Sequence, residues 1–169
     1  IYVTHIYTTD ERAARRESIA VALKQIADAN AARKKPGNLA FEDSGAAVTV
    51  SSRSTYGSTP DRVLDGVMTG MRWQDGTPDE LPDWLTVTWP EPVTIGRVAI
   101  YTPSIADFEV QVPEGDDWRT VAEVLGNTEE LAEAAWDDPV ETTSLRILVT
   151  GLMAEHRYSS IWEVEAYAN

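Results

Sequence analysis

Between positions 83 and 112 the chain reads DWLTVTWPEPVTIGRVAIYTPSIADFEVQV, dense in β-branched and aromatic residues two apart. Leu85, Val87 and Trp89 alternate with Trp84, Thr86 and Thr88. Val93 and Ile95 lead to Val98 and Ile100, and Phe108, Val110 and Val112 resume the period. Alternate side chains leave a pleated strand on opposite faces, so this pattern specifies half-buried strands. Pro90 and Pro92 divide the first run from the second and Pro103 closes the second, because proline has no amide to give a ladder. The expectation is an antiparallel meander forming one wall of an all-β sandwich.

The pattern continues in residues 47–52 (AVTVSS), 118–125 (WRTVAEVL), 143–150 (TSLRILVT) and 160–168 (SIWEVEAYA), with Leu145, Ile147 and Val149 inward. Residues 129–136 are ambiguous and can hold a helical turn. Short antiparallel strands, about eight of them, with turn signals between, indicate a two-sheet jelly-roll β-sandwich over residues 38–169. An N-terminal α-helical extension precedes it. Thr8 and Glu11 have the spacing of a capping box, and residues up to Lys35 are mostly good helix formers. Ile19, Leu23 and Ile26 give one narrow apolar stripe, and Pro36-Gly37 stops the helix. Residues 1–7 (IYVTHIY) read as a strand, so residues 1–37 are expected to be a strand plus a helical strut. The chain begins at Ile1 without Met or signal peptide, which suggests a processed product or a piece of something longer.

Charge narrows the partners. Lys and Arg total 14 against 28 Asp and Glu, a net charge of −14. Such a surface repels phosphate backbones and anionic lipid headgroups, so neither nucleic acid nor membrane is expected as partner. Cysteine is absent, which excludes disulfides, thiolate chemistry and Cys-based zinc sites. His5 and His156 lie far apart in sequence, and there is no nucleophile elbow, His-Glu-x-x-His or phosphate loop. Catalysis within this chain is not expected.

From position 38 onward the order of features resembles the discoidin, or coagulation-factor type C, superfamily, a galactose-binding-like fold whose bacterial members include the family 32 carbohydrate-binding modules. The resemblance is carried by Asn38-Leu39-Ala40, Val48-Thr49-Val50-Ser51-Ser52, Leu64-Asp65-Gly66 and Trp73, then Trp84-Leu85-Thr86-Val87 and Pro92-Val93-Thr94-Ile95. It continues through Arg97-Val98-Ala99-Ile100-Tyr101, Asp107-Phe108-Glu109-Val110, Leu145-Arg146-Ile147-Leu148-Val149 and Ser160-Ile161-Trp162-Glu163. It implies a jelly roll that binds without cutting, appended to a secreted glycan-active enzyme and holding a glycan in loops at one end. It also implies a structural Ca2+ ion. The family's Asp-Gly turn, following Thr and last-strand Glu fall here on Asp65, Thr69 and Glu163. Val67 stands where relatives often carry a second Asp or Asn. The alternative is that Asp65 caps a turn and Glu163 bonds nearby amides.

A sugar site needs a planar apolar face for the pyranose C–H surface and fixed donors and acceptors for its hydroxyls. Its candidates are Arg53 and Tyr56 in the first loop, Trp73 and Asp75 in the second, and His156, Arg157 and Tyr158 in the last. Gln74, Asp61, Ser104 and Asp107 are neighbouring loop candidates, and Trp73 has a core position as its alternative. Galactose-binding relatives place a His in the first loop and an Arg after the strand ending in Tyr. Here Tyr56 and Thr102-Pro103-Ser104 stand there, so the sugar is left open. The competing function is a structural accessory domain, in which residues 1–36 and one sandwich face dock on a neighbouring catalytic domain.

Overall fold

The computed structural model describes residues 8–70 and 72–169, and for Asn30 the backbone alone. The strand expected at residues 1–7 lies outside the described residues. The chain forms two compact units, residues 1–34 and 35–169.

In the first unit, helix α1 (Thr9–Ala31) begins on the expected capping box. The Thr8 amide donates to Glu11 Oε2 at 2.7 Å and the Glu11 amide to Thr8 Oγ1 at 3.3 Å. The helix stops at Ala31, short of Lys35. Lys35 instead serves the second unit, where its ammonium donates to the Tyr101 hydroxyl at 2.5 Å and to Glu165 Oε2 at 3.1 Å. Ile19, Leu23 and Ile26 are each more than half exposed. No described helix is long and apolar enough to cross a membrane.

The second unit is a β-sandwich. Its strands are β1 (Ala47–Val50), β2 (Trp73–Gln74), β3 (Asp83–Tyr101), β4 (Ile105–Glu114), β5 (Asp117–Val124), β6 (Leu131–Leu152), β7 (Ser160–Ile161) and β8 (Glu163–Tyr167). Two long strands serve both layers. Residues 83–88 of β3 lie between β1 and residues 144–149 of β6. Residues 97–101 lie between β8 and residues 131–135 of β6. The C-terminal half of β6 also pairs with β4, which pairs with β5, giving the order β1-β3-β6-β4-β5 with β8 on β3.

The sequence expectation needs correcting in three places. Pro90 and Pro92 do not separate two strands. They occupy exposed positions inside β3, where its register on β6 shifts between Thr88 and Val93, so no ladder amide is missed there. The three runs are not a meander either. At its C-terminal half β3 has both edges taken by β6 and β8, so β4 pairs with β6 instead. Residues 131–136 are strand, with Ala132 and Ala134 each 4% exposed and the residues between them outward. Small alternating alanines read as helix by propensity, but pairing to Arg97–Ile100 decides the matter.

The core follows the predicted alternation. Leu85, Ile147 and Val110 face each other across three adjacent strands and are fully buried. Trp89 is also buried, and its indole N–H donates to the Leu39 carbonyl at 2.7 Å, joining the opening Asn38-Leu39-Ala40 segment to β3. At Gly96, where β3 shifts register again, an added Cβ would stand 2.5 Å from the Ala168 carbonyl oxygen. Only glycine allows that approach. Because Ile147 lies at the centre of the widest ladder, Ile147→Ala is expected to cost about 2–5 kcal/mol. Urea unfolding checks this through a lower midpoint at unchanged slope.

Candidate functional site

The shortest ladder among the described residues organises one end of the sandwich. Strands β2 and β7 pair through two residues each, Trp73 with Ile161 and Gln74 with Ser160. Beyond them the two chains stay together. The Asp75 amide donates to the Ser159 carbonyl at 3.0 Å and the Asp79 amide to the Arg157 carbonyl at 2.8 Å. The first loop is tied to the same ribbon, since the Ser54 amide donates to the Gln74 carbonyl at 2.8 Å and the Gly76 amide to Ser52 Oγ at 2.9 Å. The turn after β3 joins from the other side. The Met153 amide donates to the Ser104 carbonyl at 2.8 Å, and the Ser160 amide to Ser104 Oγ at 3.0 Å. Thr102 Oγ1 donates to the Ser160 carbonyl at 2.7 Å. Backbone groups thus fix four loops relative to one another, which lowers the ordering cost of any ligand they hold.

Between these loops opens a cavity of about 360 Å³, walled by Gln74, Ser104, Glu155, His156, Arg157 and Tyr158 among others. A second of about 260 Å³, lined by Gly70, Trp73 and Trp162, adjoins it through the shared Gln74, Pro103 and Ser160. Tyr158 and Trp162 are half-buried, so each ring is supported while part stays open. Arg157 is aimed by Asp79, whose Oδ2 accepts its Nε at 2.8 Å and its Nη2 at 2.5 Å. That pairing holds the Asp79 carboxyl below its ordinary range and raises Arg157. Asp79 and Glu155 both take positive φ, 62° and 69°. Such backbone is uncommon outside glycine and concentrates at functional rims. The arrangement offers apolar ring faces flanked by hydroxyl, amide, imidazole, guanidinium and carboxylate groups.

Of the residues expected at a sugar site, the structure brings His156, Arg157 and Tyr158 into the larger cavity. Tyr56 is 83% exposed in the first loop and Arg53 is exposed nearby, but neither lines that cavity. Trp73 takes the core position given as its alternative. It is 1% exposed, its indole N–H donates to the Ser52 carbonyl at 2.9 Å, and it belongs to the core. It forms floor, not an open stacking face. Asp75 is a correction, being fully buried beneath the loop. One of its oxygens accepts the Thr77 amide at 2.7 Å while the other is buried without a partner. Burial raises its pKa, opposed by the Thr77 hydrogen bond and reinforced by the negative charge of Asp83. Asp83 accepts the Ser51 hydroxyl at 2.9 Å and the Ser159 hydroxyl at 2.7 Å, so this acid pair braces the loops from below.

Sequence reasoning missed Trp162 and Glu155. Trp162 sits between β7 and β8, where its own amide donates to the Tyr101 carbonyl at 2.7 Å. A break between two short ladders is invisible in the alternating run SIWEVEAYA. Glu155 carries no signal beyond lying in a loop.

The calcium expectation meets a different arrangement. Asp65 is buried at the turn, with one oxygen accepting the Val67 amide at 3.0 Å. The other oxygen lies 3.2 Å from Arg62 Nε and 3.5 Å from Arg72 Nε. Glu163 is fully buried; Oε1 accepts the Gly66 amide at 3.0 Å, and Oε2 is buried without a partner. Thr69 is exposed. Among the described residues no group of three or more Asp, Glu or His is placed to hold a metal. A calcium shell needs six to eight hard oxygens. Here one Asp65 oxygen faces two guanidinium groups, which repel a dication. Asp65, Thr69 and Glu163 as arranged do not fit the ion. Their geometry is instead that of the alternative reading, a capped turn with Glu163 bonding a nearby amide.

The geometry defines a class first: an antiparallel β-sandwich whose hydrogen-bonded loops enclose a groove at one end. The model of the F5/8 type C domain matches residues 47–164, and the chain belongs to that family. Comparison with curated proteins gives no match. Among solved structures, chitosan-binding module 1 of a chitosanase/glucanase from Paenibacillus sp. IK-5 is 24% identical, with a TM-score of 0.65 over 77% of this chain and 98% of that one. Module 2 of the same enzyme, solved with chitotriose, is 22% identical, with a TM-score of 0.65 over 77% and 99%. The family 32 carbohydrate-binding module of Clostridium perfringens NanJ, solved with galactose, is 18% identical, with a TM-score of 0.63 over 75% and 96%. At these identities the likeness establishes the shared fold.

Burial lifts the Glu163 pKa from its ordinary 4.5 to about 9, the Gly66 hydrogen bond and Arg72 opposing and the charges of Asp65 and Glu165 adding. The folded protein therefore keeps a proton that the unfolded chain releases. This contribution to stability is whole below pH 4.5 and is lost as pH rises towards about 9. Glu163→Gln keeps an acceptor for Gly66 and cannot ionise. Thermal melts across that pH span should fall less steeply for the variant than for the wild type.

Proposed function

We propose that this domain is a non-catalytic carbohydrate-binding module that holds a glycan in the groove between Gln74, Ser104, His156, Arg157, Tyr158 and Trp162. The observation that carries this reading is the preformed groove itself, where two supported rings lie beside fixed polar groups. Rings of that kind cover a pyranose face at small cost in side-chain freedom, while the polar groups read hydroxyl positions. Membership in the F5/8 type C family and the glycan-bound structural neighbours support it. With a net charge of −14, the domain favours neutral or amino-bearing glycans over sulfated or uronic ones. We further propose that it works for a larger, secreted glycan-active enzyme, bringing that enzyme to its substrate.

A second reading, an accessory domain docked on a neighbouring catalytic domain, is favoured by one observation: α1 carries Ile19, Val21, Leu23 and Ile26 at 51–61% exposure. The two readings are compatible, since they use different surfaces.

Calorimetric titration with chito-oligosaccharides and galactosides tests the first reading. Saturable binding is expected, weakened about tenfold or more in Tyr158→Ala, which corresponds to at least ~1.4 kcal/mol. Absence of saturable binding across neutral and amino sugars, with the sandwich intact by circular dichroism, contradicts it.

A further inference from the structure

The turn between the 3-10 segment Pro60–Leu64 and β2 contains an Asp-Gly pair bound to a last-strand glutamate, and the Nε atoms of Arg62 and Arg72 lie 3.2 and 3.5 Å from its aspartate. Asp65 and Arg72 are both withdrawn from solvent, with side chains 7% and 11% exposed, and Arg62 reaches the same oxygen from outside with its side chain 58% exposed. The Asp65 Oδ1 and Glu163 Oε1 atoms are engaged by the Val67 and Gly66 amides. Gly66 itself takes a φ of 73°, the left-handed conformation that aims its N–H at Glu163. Main-chain amides thus engage two of the four carboxylate oxygens and positive charge from the same chain faces a third, while Glu163 Oε2 stays buried without a partner.

We infer that Arg72, assisted by Arg62, supplies the positive charge that neutralises Asp65, so that the turn beside the groove is locked without calcium. The consequence is functional, because this turn leads through Arg72 directly into Trp73 and Gln74, the strand on which the groove is built. The Arg72 carbonyl accepts the Thr59 amide at 2.5 Å, and the Ser58 hydroxyl reaches the Arg72 and Gln74 carbonyls at 3.4 and 3.1 Å. A charge pair that fixes Arg72 therefore fixes the attachment of the first loop as well. Loop order in this domain is then independent of the divalent-ion concentration around it. The pair is withdrawn from solvent, so salt screens it less than an exposed one.

Melting of the intact domain tests this without reference to any sugar. In EDTA and in about 5 mM calcium chloride the wild type is expected to melt within about 1 °C of the same temperature, since a ligand that does not bind the folded state cannot stabilise it. Arg72→Gln is expected to melt lower by about 5 °C or more, because it removes the more buried of the two guanidinium groups facing a buried carboxylate. Arg62→Gln, at the exposed side, is expected to lower the midpoint by less. A wild-type midpoint that rises by several degrees with calcium, or saturable calcium binding in a direct titration, overturns the inference. So does an Arg72→Gln variant that melts with the wild type.

Discussion

The ladder between β3 and β6 is the interaction on which the rest of this fold depends. Each strand runs through both layers of the sandwich, and their pairing extends from Asp83 opposite Val149 to Tyr101 opposite Leu131, with two shifts of register. Those shifts interrupt an otherwise regular ladder. The prolines at 90 and 92 and the glycine at 96 sit at the shifts, where a missing amide or a missing Cβ is an advantage. Every other strand of the main sheet attaches to this pair directly or through β4. The loops at one end inherit their spacing from it.

Rigidity is then carried outward by progressively smaller devices. The β2–β7 ribbon has two residues a side, yet it gathers the first, second, third and last loops through main-chain and serine hydrogen bonds. Below it Asp83 is satisfied by Ser51 and Ser159, which belong to the first and last of those loops. Beside it Asp65 is balanced by guanidinium groups. Apolar burial sets the body of the domain, and buried polar groups set its loop end. A buried carboxylate is costly unless paired or hydrogen-bonded, so these acids tolerate few alternative loop positions.

The body was legible in the sequence because period-two alternation is a direct consequence of burying one face of a strand. Leu145, Ile147 and Val149, and Phe108, Val110 and Val112, are buried as that period requires. Strand order was not legible. Nothing in residues 93–112 tells that β6, which begins only at Leu131, takes the edge that β4 would have used. The Ala-rich residues 131–136 carry a helical propensity that only their partners override. At the candidate site, His156, Arg157 and Tyr158 were legible as a cluster in one loop, and they line the larger cavity. Trp73 takes the core position given as its alternative, and Asp75 was placed in an open loop because a loop position in sequence says nothing of burial. Trp162 was hidden within an apparent strand. The calcium expectation rested on family spacing, and the charges of Arg62 and Arg72 on that turn become visible only in three dimensions.

The central claim is that recognition occurs in the loop-end groove on a rigid sandwich. Backbone and indole amide chemical shifts, followed during titration with the tightest-binding glycan, test it most directly. The account predicts that perturbations gather at Gln74, Ser104, His156, Tyr158 and the Trp162 indole, with the Trp89 indole and the β3–β6 ladder unmoved. Perturbations centred on the outer sheet face or on α1, with the groove silent, would contradict it.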